Sequence, residues 1–243
     1  MEVRPTAPAD LGAELDRIEA QVAAGNRDLK ALGFWRIVAG VKRDPASIET
    51  HALQIGRIDT LAFRAGVKLR APVWVGNAVL AGGIIVGALA VRVAYVAHGS
   101  VLQGLALLVA AGLWSVSSHC PAHWVVGRAI GIGFTDYFLG GPPPPRPGLK
   151  TDYGTYLKAD PGRRAWFHAA GALASKVAPF LALAFWPGSG APWWSAAGLL
   201  VLGIGQIVTD VTLSVKTSDW KKFKRERAVA RSMEPASAGG PEA

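Results

Sequence analysis

Residues 100–132 read SVLQGLALLVAAGLWSVSSHCPAHWVVGRAIGI. No Asp, Glu, Lys or Arg occurs in this run before Arg128. A bilayer needs about 20 apolar residues per helix, so the run is long enough to span one. Near its far end lie His119 and His123. Four residues is about one helical turn, so both imidazoles leave the same helix face. That spacing suits a two-histidine metal clamp. Pro121, between them, either bends a continuous helix or opens a second one after a loose cap at Ser118.

The rest of the chain agrees with a membrane reading. Of 243 residues, 51% are hydrophobic and only 18% charged. That balance suits a membrane protein better than a soluble domain. The net charge of +9 comes from basic residues clustered beside apolar runs. It reads as membrane-flanking charge, and no nucleic-acid partner is expected. The lone Cys120 excludes an internal disulfide. The first twenty residues have no apolar core, so no cleavable signal peptide is expected.

Four spans are predicted, at about residues 72–97, 100–132, 164–186 and 192–215. The turns around Gly99 and Gly188 lack Lys and Arg, whereas the other flanks hold Arg64, Lys68, Arg70, Arg146, Lys150, Lys158, Arg163, Arg164, Lys221, Lys222 and Lys224. The positive-inside rule therefore places both termini in the cytoplasm, within the inner membrane. Trp186, Trp193 and Trp194 would form a belt at the outer interface. The expected fold is an all-α polytopic membrane protein with a small helical cytoplasmic N-terminal region over residues 1–70. Within that region Leu11, Leu15, Ile18 and Val22 form a helix stripe ended by Gly25 and Asn26. Asp44-Pro45 opens a second helix of about twenty residues. The four-span domain covers residues 71–216 and includes a proline-rich cytoplasmic loop, 140–163, whose GGPPPPRP stretch is predicted to be extended. A basic, partly disordered tail follows over residues 217–243.

Ionisable residues inside spans are costly and point to function. Arg92 lies near a span end and can snorkel. His119 and Asp210 each fall about 27 Å below the outer end of their spans at 1.5 Å per residue. His168 falls about 6 Å above the inner end of the third span. His119, His123 and Asp210, with His168 as a fourth ligand, an outer hydrogen-bonding group or an interface residue, therefore share the cytoplasmic third of the layer. Two histidines and a carboxylate form a zinc-type ligand set with an open position. The competing reading is a metal-free polar network, with Asp210 paired to Lys176.

The segment His119 to Gly131 (HCPAHWVVGRAIG) resembles the active-site helix of the site-2 protease family, the intramembrane zinc metalloproteases. Members carry His-Glu-x-x-His followed by a small, apolar stretch with a basic residue, echoed here by Arg128, Ala129, Ile130, Gly131 and Ile132. The resemblance covers about a dozen residues. It implies a zinc site near the cytoplasmic face, with an aspartate from a late helix as third ligand, a place matched here by Asp210. Cys120 replaces the glutamate base, and Val208-Thr209-Asp210-Val211 replaces the family's Asn-Pro-Asp-Gly type sequence. No glutamate occurs between Glu49 and Glu226. The expected function is thus a proteolytically inactive, metal-binding or partner-binding relative. Its expected partners are the bilayer and other membrane proteins, met through the transmembrane or N-terminal helices. The alternatives are an accessory subunit of a larger membrane complex, such as a respiratory or photosynthetic one, and a working hydrolase with a displaced base such as Asp136, or with Cys120 as a thiolate nucleophile or soft ligand.

Overall fold

The computed structural model describes residues 11–140, 146–212 and 218–233. It is mostly helical. The chain divides into two compact units: one of residues 1–71, 131–160 and 229–243, the other of residues 72–130 and 161–228.

The first unit follows the expected helical pattern. Helix α1 (Leu11–Ala23) buries Leu15, Ile18 and Val22, the predicted stripe. Gly25 lies just past its end at φ 102°, a backbone conformation that favours glycine. Helix α2 (Phe34–Val41) adds Phe34, Ile37, Val38 and Val41 to the core. Asp44 caps helix α3 (Pro45–Gly66): its carboxylate accepts from the backbone N–H groups of Ala46 (3.2 Å) and Ser47 (3.1 Å). Proline at the first helical position has no N–H to leave unsatisfied. Ile48, Ala52, Ile55 and Ile58 complete the core from α3.

The expectation of an all-α chain is corrected by a three-stranded sheet in the order β1-β2-β3: β1 (Arg70–Pro72), β2 (Phe134–Gly140) and β3 (Arg146–Thr151). β2 and β3 pair antiparallel from Phe134↔Thr151 to Gly140↔Arg146, with an irregularity between Phe134 and Asp136. The sequence FTDYFLG is rich in strand-forming aromatics, the signal that hydropathy counting passes over. Part of the stretch expected to be polyproline, residues 141–145, lies outside the described residues. Its end does not: Pro147 pairs with Leu139 in β3. Proline is tolerated there because β3 lies at the sheet edge. Helix α6 (Tyr153–Lys158) follows and packs on α3. A Cβ at Gly56 would lie 2.7 Å from the backbone N of Gly154, so only glycine permits this approach. Lys150 pairs with the buried Asp59 in the same unit.

The second unit contains α4 (Val73–Val96), α5 (Ser100–Ala129), α7 (Pro161–Ala184) and α8 (Trp193–Thr212). All four are long and apolar enough to cross a membrane. Their packing is the inverse of the first unit's. Small residues fill the interior, with Ala94, Ala106, Ala110, Ala111, Ala178 and Ala182 buried, while Val79, Leu89, Val101, Val116, Val177 and Val201 face outward. Small residues let helices approach closely where lipid offers no hydrophobic drive to associate. Pro121 lies inside a continuous α5, which settles the two alternatives for that residue. The first part of the expected tail forms helix α9 (Asp219–Met233). Residues 234–243 lie outside the described residues.

Candidate metal centre

The histidine pair meets a carboxylate. Nε2 of His119 and Nε2 of His123 each lie 3.2 Å from Oδ2 of Asp219, the first residue of α9. Ligand atoms of the three residues all fall within 4.8 Å of one another. His123 is buried, and the other two are partly so. The imidazole planes are nearly perpendicular, with centroids 4.9 Å apart.

The outer ring nitrogens fix the chemistry of the inner ones. Nδ1 of His123 lies 2.7 Å from the carbonyl oxygen of Phe167 on α7. A carbonyl only accepts, so Nδ1 carries the proton. Nδ1 of His119 lies 3.3 Å from Oγ of Ser175. That hydroxyl already donates to the carbonyl of Gly171 (2.9 Å), so it is left to accept from His119. With Nδ1 engaged on the outer side, each imidazole turns Nε2 to the carboxylate oxygen, where it can donate a proton or, when neutral, offer a lone pair. Without a proton between them, each Nε2 and the carboxylate oxygen 3.2 Å away would be two acceptors facing one another, a position that a cation can fill. A divalent cation satisfies all three at once. Zinc with N and O ligands at about 2.0–2.2 Å places neighbouring ligand atoms about 3.3–3.5 Å apart, close to the two histidine–aspartate spacings of 3.2 Å here. An orienting partner on the far ring nitrogen is also usual for metal-binding histidines.

Three features hold this arrangement in place. Gly171 on α7 faces the pair, and a Cβ there would fall on Nε2 of His123 and lie 2.9 Å from the His119 carbonyl oxygen. Glycine at this point is what lets α7 approach α5. Arg164, fully buried, contacts Glu226 at 2.9 Å and ties α9 to α7. Nζ of Lys222 donates to the second oxygen of Asp219 at 3.0 Å. Burial alone would push the Asp219 carboxyl up, but hydrogen bonds that His119 and His123 can donate from Nε2, and the Lys222 charge, hold it well below the usual carboxylate range. It is therefore an anion.

The expected third ligand is corrected. Asp210 is not brought to the histidines; it forms an ion pair with Lys176, which also donates to the carbonyl of Ala172 at 3.3 Å. A count of depth along a helix gives a level, not the direction in which a side chain points. His168 is also outside the ligand group, its ring 4.9 Å from that of Phe167. Cys120 is buried away from the group. Asp136 belongs to β2 in the first unit, opposite Lys150 in register. The carboxylate at the pair, Asp219, lies in the basic tail of residues 217–243 and is not among the ligands expected from sequence. Its signal was available: an aspartate shortly past the last span, on the side where the histidines lie.

An open apolar groove of about 560 Å³ runs between α5 and α7, lined by residues that include Ser118, Pro121, Ala122, Trp166, Ala170 and Ala174. No family model, curated protein or solved structure matches the chain.

Proposed function

We propose that this is an integral membrane protein that holds a divalent metal ion, zinc by the character of its ligands, on His119, His123 and Asp219. The protein resembles site-2 proteases but acts as a metal-bound, partner-binding scaffold without peptidase activity. The convergence of three acceptors on one point carries the metal reading. Two imidazoles and one carboxylate suit zinc and leave a fourth position for water. A carboxylate still meets the histidine pair, as the family likeness implies, but it comes from Asp219 beyond the last span rather than from the late helix that carries Asp210. Loss of proteolysis follows from Cys120 in the place of the base. A thiol in a buried, largely apolar setting is a poor base for a metal-bound water. The groove beside the pair, about 560 Å³, suits a membrane-embedded apolar partner segment.

Elemental analysis of the purified protein tests the metal. About one zinc per chain is expected, lost in Asp219→Ala and kept in Asp210→Ala. Metal-free wild type, or full retention in Asp219→Ala, overturns the assignment. Zinc-loaded wild type should leave transmembrane test peptides intact. Cleavage that depends on His119 would overturn the scaffold reading and favour a displaced base.

A further inference from the structure

Helix α9 has two faces. Toward the second unit it turns Asp219, Phe223 and Glu226, spaced as one helical face, and Glu226 is 5% exposed. On the other side Lys221, Lys224 and Arg225 are exposed. Aromatic residues mark its level. Phe223 stacks on Trp220 (5.2 Å, 14°) and meets Trp166 edge-on at 5.6 Å. Trp166 lies on the second turn of α7 and is 55% exposed. Helix α7 is 24 residues long, or about 36 Å, against a hydrocarbon layer of about 30 Å. Trp166, about 7.5 Å from its start, then falls at the membrane–water interface, where tryptophan is favoured. Contact with Trp166 fixes the start of α9 at the same level. A helix at that level with outward lysines and arginine faces phosphate headgroups.

We propose that the outer face of α9 docks on an anionic lipid surface through Lys221, Lys224 and Arg225, and that docking holds Asp219 at the histidine pair. The occupant is a lipid surface rather than an acidic protein, because the aromatic cluster beside the charges is continuous with the end of an apolar helix. The metal-linked half rests on the site proposed above; the docking half does not. Each basic residue near an anionic surface contributes roughly a fivefold gain in partitioning, so three together are worth roughly a hundredfold.

The test uses the full chain in nanodiscs of phosphatidylcholine alone, or mixed equally with phosphatidylglycerol. An environment-sensitive label is placed by Ala228→Cys on the exposed side of α9, with unsubstituted protein controlling for Cys120. In metal-free protein, label emission should shift to the blue in the anionic discs. The triple variant Lys221→Gln, Lys224→Gln, Arg225→Gln should abolish that shift. Cobalt, used as a spectroscopic probe, should bind roughly tenfold more tightly in the anionic discs, again only without the triple substitution. Emission indifferent to phosphatidylglycerol overturns the docking and points to an acidic protein partner. A shift that survives the triple variant overturns the assignment to these residues. Equal cobalt affinity in both discs overturns the link to Asp219. A responsive label with no cobalt bound in any disc supports docking and overturns the metal site instead.

Discussion

Two aspartates near the ends of neighbouring helices meet basic side chains in opposite ways. Asp210 on α8 faces Lys176, a donor with no acceptor, so the pair is complete by itself. Asp219 on α9 faces two imidazoles whose Nδ1 sides are already engaged by Ser175 and Phe167. The same residue type closes one cluster and leaves the other open to a cation. What distinguishes a ligand from a structural ion pair here is the hydrogen-bonding state of its neighbours. Removing Asp219 should break the contrast most sharply: metal content falls from about one per chain to near zero, while loss of Asp210 leaves it intact.

The outer partners of the histidines are the next lever. Ser175→Ala removes the acceptor that orients Nδ1 of His119. Lost orienting partners typically weaken metal affinity by about 10–100-fold. Competition with a chelating dye would measure this, and unchanged affinity would mean that His119 needs no fixed tautomer. Gly171→Ala acts by bulk, since its methyl must displace the His123 ring or separate α7 from α5. Overpacking of this kind costs about 1–3 kcal/mol, which detergent-based thermal unfolding would register as a lowered Tm even without metal. A Tm equal to wild type would show that the helices are not held as closely as Gly171 implies.

The legibility of these features followed their physics. The spans were readable because apolar runs of that length leave few alternatives: the first, expected at about residues 72–97, is Val73–Val96. The stripe Leu15, Ile18, Val22 and the cap at Asp44 were readable because both are local. Arg164 misled, since it was counted among the basic loop residues. In the fold it is fully buried against Glu226, a partner 62 positions away that no local pattern could supply. The sheet was missed because its strands are short and two of them contain proline. The histidine pair was legible as a periodic signal, but the identity of its carboxylate was not. That depends on how α9 folds back after α8, which is tertiary information.

The closed pair offers the smallest and most diagnostic change. Lys176 and Asp210 are both partly shielded and lie on helices apolar enough to cross a membrane. Removing one partner leaves a charge without compensation, which is costly away from water, whereas replacing both by apolar groups removes the need for compensation. Lys176→Met and Asp210→Leu should each lower thermal stability, and the double variant should recover most of the loss. Strict additivity would mean that the two side chains do not stabilise one another, and Asp210 would again need another partner. The histidine centre should respond differently. Taking Asp219 away after His119 has been replaced brings no recovery of metal binding, because an open site needs each of its acceptors, while a closed pair needs only its opposite charge.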